Sequence, residues 1–134
     1  MIAADTSALI AILQDEPEAY SFLVCLAQAE GRVLSAVSLQ EASMVLAGRR
    51  GHTDAWGPLD ELIQRFAIEI VAHDAELARI ARDAFLRFGK GRHPAKLNCG
   101  DCASYALAKH RRIPLLFKGG DFAHTDIAPA LPAA

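Results

Sequence analysis

The stretch Asn98 to Asp121, N-C-G-D-C-A-S-Y-A-L-A-K-H-R-R-I-P-L-L-F-K-G-G-D, limits what this chain can become more than any other. It reads as helix start, helix, break, short buried strand and acidic strand end. Asn98 is a helix-entry residue, and Asp101 falls in the first turn, where the helix dipole favours acid. Lys109-His110-Arg111-Arg112 then reads as a dipole-compensating helix C-terminus. Asp121 lies just past the apolar run Ile113-Pro114-Leu115-Leu116-Phe117. In an α/β sheet a helix start and an adjacent strand end share one rim, where ligands bind. This single segment therefore predicts two carboxylates on the same edge.

The remaining chain supplies the partners of that strand. Met1–Ala4 is a short apolar strand, followed at Asp5-Thr6-Ser7 by a helix to about Leu13. Asp15-Glu16-Pro17 opens a second helix with the stripe Ala19, Phe22, Leu23, Leu26 and Ala27. Residues 32–37 form a second strand, and Ser38 starts a helix that Gly51 breaks. A helix over residues 53–66 and a strand over 67–71 follow. His73-Asp74 enters the clearest helix, with Leu77, Ile80, Ala81, Ala84, Phe85 and Phe88 in register. Residues 89–97 are a loop, and the tail from Ile127 to Ala134 shows little sign of structure. Strands alternate with helices and no tight hairpin signal interrupts them. The prediction is a single domain over residues 1–134: α/β, three-layer α/β/α, with a mainly parallel sheet of roughly four or five strands.

Two acids elsewhere join the pair. Asp5 follows the first strand and Glu41 follows the second, so in a parallel sheet Asp5, Glu41, Asp101 and Asp121 all fall at the carboxyl-terminal rim. Each has an ordinary explanation taken singly. Asp5 can cap the next helix; Ser38-x-x-Glu41 and Asn98-x-x-Asp101 fit capping boxes; Asp121 fits a turn. Together, close anions repel unless a counter-charge joins them. A hard cation such as Mg²⁺ or Mn²⁺ accepts oxygen ligands, activates water and steadies a phosphoryl oxygen. Thr6, Ser7 and Asn98 are short polar groups suited to orienting carboxylates or touching a phosphate.

D-T-S-A-L at residues 5–9, the E-A-S helix, G-x-G-R-H-P-A-x-L-N-x-G-D-C and L-L-F-K-G-G-D-F-A-H-T-D-I together resemble the PIN-domain family. More closely they resemble the VapC ribonuclease toxins of type II toxin–antitoxin modules. The likeness runs from Ile2 to Ile127, and the blocks at 91–102 and 115–127 carry most of it. It implies a metal-dependent endoribonuclease restrained by a VapB-type antitoxin, usually dimeric. It carries over Asp5, Glu41, Asp101 and Asp121 as the acidic site, with Asp5 and Asp101 the surest metal ligands. Two positions depart: Cys99 stands where relatives tend to have a large apolar residue, and Gly120 where many have Asn or Asp. The second leaves open whether Asp121 ligates metal, holds a water, or yields that role to Asp126.

Net charge is −2, so no global basic field advertises an RNA substrate. Local charge does. From Ala84 to Gly100 no acid occurs, while Arg87, Lys90, Arg92, His93 and Lys96 do, and the stretch leads straight into Asp101. Either it is a solvated loop, or its cations attract phosphate near the acids. Arg92 is the first choice for a bidentate grip. Cys99-x-x-Cys102 lacks the second pair that zinc needs, and the intervening acid disfavours a reactive thiolate. An odd count of 3 cysteines and no positively charged leader point to a reducing, cytoplasmic setting. The longest uncharged run, Ala19 to Ala29, is too short to span a bilayer. Trp56, with Leu59, Leu62, Ile63 and Phe66, reads as helix packing. Two other functions compete: an aspartate-nucleophile phosphatase, which would need an Asp at position 7 where Ser7 stands, and a non-catalytic interaction module.

Overall fold

A computed structural model describes residues 1–50 and 55–132. Its centre is a 4-stranded sheet, all parallel, built from β1 (Ile2–Ala4), β2 (Arg32–Ser35), β3 (Glu69–Val71) and β4 (Leu115–Leu116) in the order β3-β2-β1-β4. Between them run α1 (Thr6–Leu13), α2 (Ala19–Gln28), α3 (Ala36–Arg50), α4 (Gly57–Arg65), α5 (Ala75–Phe88) and α6 (Cys99–Arg111). Parallel neighbours need crossovers, and helices supply them.

Strand side chains alternate between two faces. Ala3, Val33 and Leu115 pack with α5 and α6, while Ile2, Ala4, Leu34 and Leu116 pack with the helices before β3. That alternation is what makes three layers. β1, β2 and β4 are buried on both faces and read as short apolar runs, while β3 at the sheet edge is largely exposed. Truncating a fully buried leucine such as Leu9 or Leu34 would cost roughly 2–5 kcal/mol.

Two helices set the position of the rim. In α5 the Asp74 side chain accepts from Leu77 N at 3.0 Å, and Leu77, Ala81, Ala84 and Phe88 face inward. A Cβ on Gly89, which ends this helix, would collide with the Phe85 carbonyl oxygen, so glycine is required there. In α6 every residue from Cys102 to Ala108 is buried, as befits a helix wedged between sheet and neighbouring helices. Arg112 ends it in the left-handed region at φ 56°.

Several boundaries differ from expectation. The second strand stops at Ser35 and α3 starts at Ala36, because Ser35 Oγ caps Val37 N at 3.1 Å. Ser38 thus lies inside the helix, and the expected Ser38–Glu41 capping box does not form. The predicted break at Gly51 and the start of the next helix lie outside the described residues; α4 is seen from Gly57. Phe85 is 39% exposed despite its place in the apolar stripe, and Trp56 is 52% exposed with its Nε1 donating to Ser43 O at 2.8 Å. The tail is not featureless: Leu115 N donates to Ala128 O at 2.9 Å and Ala130 N donates to Leu115 O at 2.8 Å.

Candidate active site

Asp5 is 3% exposed at the end of β1. Its Oδ2 accepts from Ser7 N at 3.0 Å and from Ser7 Oγ at 2.6 Å; its Oδ1 accepts from Ser104 Oγ at 2.6 Å. Asp5 is therefore a helix cap, as its position allows, but the bond to α6 ties it to the other end of the chain. Ser7 Oγ in turn accepts from Lys118 N at 3.0 Å, joining the segment after β4 to the same corner. Thr6 is buried, and its hydroxyl donates to Ser38 O at 3.2 Å.

Asp101 forms the predicted capping box. Its Oδ2 accepts from Asn98 N at 3.0 Å while Asn98 Oδ1 accepts from Asp101 N at 2.9 Å. Oδ1 of Asp101 has no hydrogen bond among the described residues. Glu41 makes none either; its half-buried carboxylate lies against Gly100, where a Cβ would stand 2.5 Å from Oε2 and 2.6 Å from Oε1. Glycine at 100 thus leaves room for the Glu41 carboxylate beside the first turn of α6. Asp121 is exposed after β4 and caps nothing with its side chain.

These acids act on one another. Burial pushes the Asp101 carboxyl up to about 6; the Asn98 N–H opposes that, and the charges of Asp5, Glu41 and Asp121 add to the rise. Acids from separate segments therefore share one electrostatic neighbourhood. Among the described residues, however, no three His, Cys, Asp or Glu form a ready-made metal cage. The donor set itself is all oxygen, which suits Mg²⁺ or Mn²⁺ and not a thiophilic ion.

Asp126 goes elsewhere. Its carboxylate takes Tyr105 Oη at 2.5 Å, Lys109 Nζ at 2.8 Å and Arg87 at 3.6 Å. Burial raises its pKa, but the Lys109 and Tyr105 hydrogen bonds and the nearby cations outweigh that and hold it at about 2. Asp121 and not Asp126 is the one felt by Asp101. The basic helix end is also committed, with His110 facing Glu76 at 3.7 Å and Arg111 facing Glu69 at 3.7 Å.

Arg92 is exposed on the 89–97 loop with its guanidinium 6.0 Å from the Phe85 ring centre. The loop is pinched shut where Leu97 N donates to Phe88 O at 3.0 Å, one residue before Asn98. Cys99 is exposed and Cys102 buried; burial, then the charges of Asp101 and Cys99, push the Cys102 thiol up to about 11, away from thiolate chemistry. Cys25 is half-buried against the tail, its Sγ 3.9 Å from Ala130 O. The residues that sequence reasoning missed are Ser38 and Ser104. A serine inside a helix carries no signature of its own, and Ser38 mimicked a cap.

With this geometry in view, comparisons with known proteins are informative. The PIN domain family matches residues 2–128. Ribonuclease VapC30 of Mycobacterium tuberculosis is 48% identical over 129 residues, covering 96% of this chain and 98% of that protein. Ribonuclease VapC of Mycolicibacterium smegmatis is 48% identical over 124 residues, covering 92% and 95%. Among solved structures, M. tuberculosis VapC20, described as a sarcin–ricin loop cleaving toxin, superposes with a TM-score of 0.73 at 18% identity over 96% of this chain and 100% of that one. VapBC2 from Rickettsia felis, bound to a DNA fragment from its promoter, gives 0.74 at 17% identity, covering 96% of each. At such identity the structures speak for the fold alone.

Proposed function

The chain belongs to the PIN-domain family and, within it, to the VapC ribonucleases, and from that premise we propose that its sheet rim is the active centre of a metal-dependent endoribonuclease toxin. Asp5, Glu41, Asp101 and Asp121 would hold Mg²⁺, with Mn²⁺ as a substitute. The supporting observation is the shared electrostatic neighbourhood of these acids around Asp101, reached from four places in the chain. When bound, the ion supplies a water acidic enough to attack a phosphodiester, and positive charge for the phosphoryl oxygens.

The side chains do the rest. The Ser7 and Ser104 hydroxyls hold the Asp5 carboxylate still. The capping box does the same for Asp101 while leaving its Oδ1 for the site. Thr6 anchors the start of α1 to α3. Arg92 on its loop meets the RNA backbone, supplying the local charge that a net −2 denies the whole. Asp5, buried and fully engaged on Oδ2, suits a fixed ligand better than a nucleophile that must turn toward phosphorus. A VapB-type antitoxin would restrain the enzyme, which would act as a homodimer in the cytoplasm. No helix among the described residues is long and apolar enough to cross a membrane.

The test is cleavage of RNA by the purified, antitoxin-free chain in Mg²⁺ or Mn²⁺, its loss in EDTA, and its loss in Asp101→Asn. Full activity of that variant removes Asp101 from the site. Wild-type protein inert on RNA in both metals defeats the enzyme assignment. Light scattering with and without co-expressed antitoxin measures the assembly.

A further inference from the structure

Resting on the metal-site reading above, we propose that Ser104, supported by Ser38, is a positioning residue that leaves Asp5 a single open ligand position on Oδ1. A carboxylate has about four acceptor positions, two on each oxygen. On Asp5 both positions of Oδ2 are filled, by Ser7 N at 3.0 Å and Ser7 Oγ at 2.6 Å. Oδ1 takes one hydrogen bond, from Ser104 Oγ at 2.6 Å. One acceptor position remains, and it belongs to Oδ1. Asp5 is therefore built to bind a cation through one oxygen and not two.

Ser104 decides which way that oxygen faces, and its own orientation is fixed from behind. Ser104 Oγ lies 3.1 Å from Ser38 Oγ, a contact in which either hydroxyl could donate. A hydroxyl has one proton, and Ser104 gives its proton to Asp5. Ser38 must then be the donor to Ser104. The hydrogen bonds run in one direction, Ser38 to Ser104 to Asp5, from α3 through α6 to the end of β1. Ser38 is 0% exposed, Ser104 1% and Asp5 3%, so all three lie away from bulk solvent. Donation from Ser38 also leaves Ser104 a stronger donor, since chained hydrogen bonds polarise one another.

The test compares wild type with Ser104→Ala, Ser104→Cys, Ser38→Ala and the Ser38→Ala/Ser104→Ala double variant. Calorimetry with Mn²⁺ alone should show affinity weakened about 10–100-fold in Ser104→Ala, as for other partners that orient a metal ligand. Turnover on RNA should fall with KM nearly unchanged. Ser104→Cys, close in volume but a weak donor, should also lose affinity. Ser38→Ala should lose less, and nothing further once Ser104 is alanine, because Ser38 acts through it. In metal-free protein the Asp5 carboxyl carbon resonance should move in Ser104→Ala. A Ser104→Ala protein that melts earlier yet binds Mn²⁺ as wild type does shows a merely structural serine and overturns the proposal. Additive losses from the two serines overturn the one-way chain. Wild-type protein that takes up no Mn²⁺ overturns the metal site itself and the Oδ1 ligand with it; an unmoved Asp5 resonance separately removes the hold of Ser104.

Discussion

Asp101 carries the clearest titration signature on the rim. Its carboxyl is raised by burial and by its acidic neighbours to about 6 in the metal-free fold, against an unfolded value near 4. A raised acid stabilises the fold fully below the unfolded pKa and loses that contribution as pH climbs through the folded one. In EDTA the protein should therefore melt at a higher temperature at pH 5 than at pH 7, and Asp101→Asn should flatten the difference; a wild-type curve without that slope contradicts the shift. Metal uptake has the opposite sense, because the cation needs the ionised form: it should weaken as pH falls below about 6. Gly100 offers a second test. Its missing Cβ makes room for the Glu41 carboxylate, and in the first turn of a helix alanine is favoured over glycine by up to about 1 kcal/mol. Gly100→Ala should hold or raise the melting temperature by pushing only a flexible side-chain end aside, yet reduce RNA cleavage by displacing Glu41. Activity equal to wild type would mean that the position of Glu41 does not matter.

At the scale of elements, α6 connects most of the molecule. Its N-terminus belongs to the rim, its middle is core, and Tyr105 and Lys109 hold the segment after β4 through Asp126. Asp126→Asn should cost about 1–2 kcal/mol in urea unfolding, in the range of a hydrogen bond to a charged group reduced by solvent, with turnover little changed. Its lowered carboxyl acts above the unfolded pKa and fades as pH drops toward about 2, so the difference between variant and wild type should vanish in strong acid. A collapse of turnover at full stability would instead return Asp126 to the site. Much of this architecture was readable from local chemistry: Asp74 and Asn98 are caps in both readings, and the Leu77–Phe88 stripe is buried except for the half-buried Ile80 and the outward-turned Phe85. What escaped was long-range. Ser38 reads as the start of α3, yet Ser35 caps the helix three residues earlier and Ser38 packs on Ser104 inside it. Five adjacent residues, Ile113 to Phe117, read as a strand, but ladder bonds define only Leu115–Leu116.

For the whole molecule the rim is a place where charge is concentrated before any ligand arrives. Neutralising one acid should relieve repulsion in the free protein. Asp121→Asn should melt at or above the wild-type temperature in EDTA, and gain less from added Mn²⁺, for which saturation at 100 times Kd would contribute about 2.7 kcal/mol to wild type. Equal gains in both proteins would exclude Asp121 from binding. The backbone bonds between Leu115 and residues 128–130 have a different reach. β4 is an outer strand of the sheet, and unpaired outer strands recruit foreign chains. Here that margin is sheathed by a segment containing Pro129, which has no amide hydrogen to offer onward. Growth of this sheet by addition of another chain's strand is thus confined to the β3 side, and trimming the last residues would expose a second seam along which copies could stack.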